Sequence, residues 1–361
     1  MAMEIHTFDE DGGLILILPK PLEKENESAN DDSGTTSRTF DPTDLASIGK
    51  NSFAQIEQSP VEKVRMLVSS KHMRVASPVF RAMLQQKNFK EGRELSSKGG
   101  LELPLPDDDA IAMIVLLDVI HGRNRRVPRK IDLDLVNRIS ILVDKYQMAE
   151  AVGMVSDVWI DNLRNDIPKE YDPNVIEVHR WLAISWVFGR GDVFKTITKL
   201  VQCNCYSDLE FRLEDNLPIP KTVIDAIKRS REEAIFEAFQ FLDETVKRCL
   251  SPISKCSRKD SWKVECDCML LGSLLKSAAA AEIYPIPESP YRAISVKQLS
   301  KSLRTFEIKT LCEQLSKTDL RISGSSHWFD EESHDLQREF NQLSNSIEKR
   351  FQGLDIEVFR S

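Results

Sequence analysis

No apolar run in the chain approaches the roughly 18 residues that a membrane-spanning helix needs. The longest early run, Leu14 to Leu18, is strand-sized. The opening MAMEIHTFDEDGG lacks the basic start and long apolar stretch of a secretory signal. The chain is therefore expected to work inside the cell, in the cytoplasm, the nucleus or both. Catalytic signatures are missing too: there is no Walker-type phosphate loop, no G-x-S-x-G elbow and no H-E-x-x-H. FGRGDVF, residues 188 to 194, begins like a dinucleotide loop, but Phe194 stands where the third glycine belongs and a helical pattern precedes it. His6, His72, His121, His179, His327 and His334 are scattered, none beside a nucleophile in a known pattern. No internal repeat is seen. An enzyme is not expected, and no cofactor or small-molecule substrate is inferred. An excess of positive charge is absent as well: 49 Lys and Arg against 57 Asp and Glu give −8. That balance argues against a whole-protein nucleic-acid or membrane-binding surface, though not against a local patch.

What is present is an ordinary globular composition, 41% hydrophobic and 29% charged. A length of 361 residues suggests two or three domains, each able to bury a core. The seven cysteines are odd in number and unevenly spread, so reduced thiols are expected. Cys203-x-Cys205, Cys249, Cys256 and Cys266-x-Cys268 invite a zinc reading. Zinc, however, takes four ligands, usually with gaps of about two to four residues inside each pair. One-residue gaps fit that poorly and six cysteines overshoot one site, so scattered core thiols are expected and no metal ligand is assigned.

GGLILIL, residues 12 to 18, reads as a buried strand stopped by Pro19. Residues 20 to 60 are rich in Ser, Asn, Asp, Glu and Thr and poor in aliphatics, the composition of a disordered insert. Ser59-Pro60 within it is a potential phosphorylation site, although an unmodified linker is the expectation. VRMLV, residues 64 to 68, reads as a second strand. In SSKHMRVASPVFRAML, proline is poor inside a helix but good at its first position, and serine is a favoured N-cap. Ser77-Pro78 therefore reads as the junction of two helices, one ending near Ala76 and one running from Pro78 to about Gln86. LELPLP, residues 101 to 106, reads as a third strand. Asp107, Asp108 and Asp109 read as helix-starting residues rather than a metal site, and the all-round apolar AIAMIVLLDVI as a buried helix. Helices are expected through Leu135–Tyr146 and Val152–Leu163. Further helices are expected over 175 to 189, 222 to 250, 268 to 284 and 295 to 315. A final one carries a stripe of Leu336, Phe340, Leu343, Ile347 and Phe351. That stripe is near a heptad seam that could pair with another chain, but packing against its own domain is expected. The loop GRNRRVPRK carries Arg123, Arg125, Arg126, Arg129 and Lys130. These form a possible nuclear-import or nucleic-acid patch, but no aromatic residue interleaves with the charges, so a solvated loop is expected.

The segments DGGLILIL, VRMLVSSKHMRVASPVFRAML, FKEG, LELPLPDDDAIAMIVLLDVIHGR, VPRK and VDKYQMAEAV occur in an order that resembles the BTB/POZ domain. The likeness is to the BTB-containing proteins that are numerous in filamentous fungi, and it covers roughly two-fifths of the chain. The resemblance implies an α+β fold. A BTB/POZ-like domain would span residues 1 to 164, with the insert at 20 to 60. A helical C-terminal domain would span 165 to 320, and a loop with a terminal amphipathic helix 321 to 361. It also implies a non-enzymatic interaction module that self-associates or docks a partner. In its sharper form the chain is a substrate adaptor of a cullin-based ubiquitin ligase; the alternative is a nuclear regulator of transcription acting through partners. Cullin adaptors of this family carry a hydrophobic-x-Glu motif after the second helix, and Phe89-Lys90-Glu91 stands there. The same triplet could equally be a partly buried loop Phe beside a solvated Glu. Gly13 and Ser69 stand where many BTB proteins have an Asp opening the first strand and a His opening the first helix, which puts the family's familiar dimer interface in doubt. No partner beyond other proteins, such as a second copy or a cullin scaffold, is inferred.

Overall fold

The computed structural model describes residues 5–20, 62–85, 89–172, 176–206, 217–254, 256, 262–317 and 334–360. Apart from Lys20, the insert expected at 20 to 60 lies outside the described residues, and so does Ser59-Pro60. Four strands form one sheet: β1 (Ile5–Thr7), β2 (Leu14–Pro19), β3 (Lys63–Val68) and β4 (Leu101–Pro104), in the order β1-β3-β2-β4. β2 and β3 pair antiparallel, with Leu14 opposite Val68, Leu16 opposite Met66 and Leu18 opposite Val64. β4 runs parallel to β2, setting Leu101 beside Leu14 and Leu103 beside Leu16. Side chains alternate across a strand, so this register puts all of these residues on one face, and all are buried. The two strands read at Leu14–Leu18 and Val64–Val68 are thus observed, paired in one sheet. β1 adds a fourth, parallel edge strand on β3. Its three residues are too few to show a period in the sequence.

The chain divides into two compact units, Met1–Pro128 with Lys145–Val152, and Arg129–Asp144 with Gly153–Ser361. In the first unit, α1 (Ser70–Ala76) and α2 (Pro78–Met83) meet at Ser77. The Ser77 N–H closes α1 on the Met73 carbonyl, its Oγ accepts from the Phe80 N–H at 3.0 Å, and its hydroxyl donates to the Tyr146 carbonyl at 2.5 Å. One serine therefore ends one helix, starts the next and ties the corner down, with Pro78 at the first position where its missing N–H costs nothing. α3 (Lys90–Lys98) follows and ends on Gly99 in the left-handed region. α4 (Ala110–Ile120) is capped by Asp109, whose Oδ1 accepts from the Ala112 N–H at 2.7 Å. Asp108 caps nothing. It is buried, and its carboxylate receives the Tyr146 hydroxyl and the Lys145 ammonium, each at 2.5 Å. Burial first, and then this carboxylate, push the Tyr146 phenol far above its ordinary range. Tyr146 also stacks on Phe80 at 4.7 Å. α5 (Leu133–Tyr146) and α6 (Ala149–Asn162) contain the boundaries between the units.

The second unit continues with α7 (Glu177–Val187), α8 (Gly191–Asn204), α9 (Lys221–Cys249), α10 (Lys263–Ala280), α11 (Val296–Arg304), α12 (Leu311–Lys317), α13 (Leu336–Arg350) and α14 (Glu357–Arg360). The 29-residue α9 buries one stripe, including Ile227, Arg231, Ile235, Phe239, Leu242 and Val246, at helical spacing. Leu270 and Leu274 of α10, Leu299 and Leu303 of α11, and Leu336, Phe340 and Ile347 of α13 join the same core. The terminal stripe thus packs within its own unit. FGRGDVF is the corner between α7 and α8, where Arg190 pairs with Asp157 and Asp161 at 3.0 and 2.7 Å. The helix expected over 295 to 315 is two helices with an extended link. The Ser273 and Ser277 hydroxyls, one turn apart on α10, accept the Lys309 and Glu307 N–H groups at 2.9 and 3.0 Å and donate back to the same residues' carbonyls. Backbone groups satisfied this way have no need of a helix. The chain is mixed α+β, and no described helix is long and apolar enough to cross a membrane.

Candidate interaction surface and metal centre

Phe89 is the N-cap of α3 and is 49% exposed, with Glu91 half-buried in the first turn of the helix. Their seat is fixed by Gly92. A Cβ built there would lie 2.2 Å from the Gln85 carbonyl oxygen, so only glycine lets α3 press this closely on the chain leaving α2. The FKEG segment therefore holds a large exposed ring and a carboxylate at fixed positions, the carboxylate favoured by the helix N-terminus.

The five basic residues of the loop differ in their surroundings. Arg123 is engaged internally: its guanidinium lies over the Phe8 ring at 5.0 Å, donates to the Thr7 carbonyl at 2.9 Å and pairs with Asp118 at 3.7 Å. Arg125 and Arg126 are exposed in the turn that follows. Arg129 and Lys130 are exposed and belong to the second unit, where the Arg129 carbonyl accepts from the Asn162 amide at 3.0 Å. His121, at the end of α4, accepts from the Ser69 N–H at Nε2 (3.0 Å), which leaves Nδ1–H to donate to the Leu117 carbonyl (2.9 Å). Burial lowers its pKa, consistent with that neutral tautomer.

The cysteines divide in a way their spacing does not suggest. Cys205 is buried, its thiol pushed up to about 12 by desolvation, and its carbonyl accepts from Arg231. Cys203 and Cys249 pack against the hydrophobic core, and Cys268 is exposed. Cys256 and Cys266 instead converge with Cys312 and His334, residues that the sequence pattern left out. All four donor atoms lie within 4.8 Å of one another. Cys312 Sγ stands 3.7 Å from both Cys256 Sγ and Cys266 Sγ, and His334 Nε2 is 3.5 Å from Cys266 Sγ.

Each donor is delivered by local structure. Cys256 sits on the link between α9 and α10, and Cys266 is buried in the first turn of α10. The two α10 serines hold residues 307 to 309 extended, and Thr310 Oγ1 accepts from the Glu313 N–H at 3.1 Å, starting α12 so that Cys312 falls in its first turn. His334 precedes Asp335, whose Oδ1 caps α13 by accepting from the Arg338 N–H at 3.0 Å. Burial lowers the pKa of His334, while Asp267 acts to raise it; Asp267 Oδ1 is itself buried with no hydrogen-bond partner. Comparisons with family models, with curated proteins and with solved structures give no match to this chain.

Proposed function

We propose that the chain is a non-enzymatic protein–protein interaction module of the BTB/POZ kind, and that its N-terminal unit docks a partner protein through the α3 surface. The reading is supported by element order: an antiparallel strand pair, a helical hairpin at Ser77-Pro78, a parallel returning strand and then helices α4 to α6. The observation that carries it is Phe89, a large ring left half exposed on a backbone held by Gly92, beside Glu91. A rigidly presented aromatic with an adjacent charge is the usual form of an interface anchor, and losing such an anchor costs about 2 kcal/mol or roughly 30-fold in affinity. The sharper form of the proposal is substrate adaptor of a cullin-based ubiquitin ligase. Co-purification of the cullin with the wild type and with a Phe89→Ala/Glu91→Ala double variant tests it. Recovery should fall steeply in the variant; equal recovery removes this surface from the proposal.

A second reading, a nuclear regulator acting through partners, is favoured by the exposed Arg125 and Arg126. Replacing both with alanine should then move a fluorescent fusion out of the nucleus. Cytoplasmic fluorescence in both versions counts against it.

A further inference from the structure

The structure points to a structural zinc site formed by Cys256, Cys266, Cys312 and His334. With Zn–S bonds of about 2.3 Å and a Zn–N bond of about 2.05 Å, a regular tetrahedron has S···S edges of about 3.75 Å and S···N edges of about 3.55 Å. Three of the six donor separations are 3.7, 3.7 and 3.5 Å, and all six lie within 4.8 Å. The donor set is the S₃N combination that selects zinc among the common divalent ions.

A disulfide and a purely hydrophobic cluster both fit less well. A disulfide would join two sulfurs at about 2.05 Å and leave out the third; here Cys312 Sγ is equally far from two thiols and bonded to neither. Thiols gathered only by hydrophobic burial would be surrounded by apolar groups, whereas the fourth corner is an imidazole nitrogen. The orphaned Oδ1 of Asp267, within electrostatic reach of His334, is the type of acceptor that a ligand imidazole's second N–H takes.

Zinc here would join four separate segments of the second unit. α12 is seven residues long, and no described residue of it belongs to the hydrophobic core of the unit. A helix that short does not hold itself together. A zinc ion would tie it to α10, to the link after α9 and to the start of α13. Four protein donors fill the tetrahedron and leave no open position, which marks the site as structural rather than catalytic. Binding converts three thiols to thiolates and releases their protons to solvent, while the imidazole binds neutral.

The test is metal analysis of the full chain purified without chelators. About one zinc per chain is expected. Replacement by Co²⁺ should give the intense visible bands of a tetrahedral ion together with thiolate charge transfer. Cys312→Ser and His334→Ala should each lower zinc content ~10-fold or more. His334→Cys should keep the metal and shift the Co²⁺ bands toward those of a four-thiolate ion, and Cys268→Ser should change nothing. Because ligand variants can misfold, a chelator step on the wild type is the independent check: removing zinc should make Cys256, Cys266 and Cys312 reactive toward a thiol reagent, and adding zinc back should protect them. A folded wild-type chain that takes up neither zinc nor tetrahedral Co²⁺ overturns the assignment. So do full zinc retention by both Cys312→Ser and His334→Ala, and thiol reactivity indifferent to chelation.

Discussion

Arg231 is 1% exposed in the middle of α9, an unusual place for a guanidinium. Its Nε donates to the Cys205 carbonyl at 3.1 Å, and its two terminal nitrogens donate to the carbonyls of Pro290 (3.3 Å), Tyr291 (2.6 Å) and Ile294 (2.7 Å). One side chain therefore joins the end of α8 and the whole 290–294 link to the central helix. Arg231→Met keeps the bulk of the stem but removes every donor. Three of the four acceptors are in buried bonds, and a buried acceptor left unsatisfied costs about 1–3 kcal/mol. Gross loss is then about 3–9 kcal/mol. Relief of burying the cation offsets several kcal/mol of it, leaving a net destabilisation of about 3 kcal/mol. Of the five tryptophans, Trp159, Trp181, Trp186 and Trp262 are described and belong to the second unit, so tryptophan fluorescence reports on that unit. With a urea m-value of about 2 kcal/mol/M, the midpoint should fall by about 1.5 M. Arg231→Lys should fall nearly as far, because an ammonium has three donors and no planar fork. A midpoint within ~0.25 M of wild type for Arg231→Met would refute the reasoning, since ~0.5 kcal/mol is what a surface substitution does.

Other positions give equally definite expectations. Gly92→Ala must displace α3, since its Cβ would meet the Gln85 carbonyl; partner recovery should drop as in the Phe89/Glu91 variant, with the tryptophan-detected midpoint unchanged. Gly353 has φ +83° and a Cβ there would lie 1.9 Å from the Lys195 carbonyl oxygen. Gly353→Ala should free the terminal segment that carries Arg360 over Trp186, lowering the midpoint by about 1–2 kcal/mol equivalent and exposing the C-terminus to limited proteolysis. His121 has its pKa lowered in the folded state by burial, so between that value and about 6.5 the unfolded chain holds more protons than the folded one. Stability of the first unit should therefore fall as pH drops through this window. The protection factors of Leu14–Leu18 against hydrogen exchange, corrected for the intrinsic pH dependence, should fall on acidification, and less steeply in His121→Gln.

How much of this was legible in the sequence depended on the range of the interaction. The β2 and β3 segments could be read because each is a short apolar run with clear stops, whereas their antiparallel register could not, since burying one face fixes only which residues turn inward. Ser77-Pro78 was legible because a cap and a helix-initiating proline are local signals. The link between α11 and α12 was not, because what holds it extended is a pair of serines 30 and 36 residues away on α10. The metal ligands failed for a related reason. Zinc-binding patterns in sequence are pairs a few residues apart, whereas here each donor comes from a different element and the chain between Cys266 and Cys312 winds through α10 and α11 first. The conspicuous Cys266-x-Cys268 pair also misleads: residues two apart on a helix face different ways, and the structure buries one thiol and exposes the other. Phe89 and Glu91 were identifiable as a triplet, but their fixed presentation depends on the approach of Gly92 to Gln85, which no local pattern encodes.

The most direct measurement is quantitative affinity purification of the full chain from its native cells, wild type against Phe89→Ala/Glu91→Ala. A defined set of co-purifying proteins is expected, cullin ligase subunits among them, depleted ~10-fold or more in the variant while the tryptophan-detected midpoint stays the same. An identical set of partners in identical amounts from both proteins would contradict the docking role of the α3 surface.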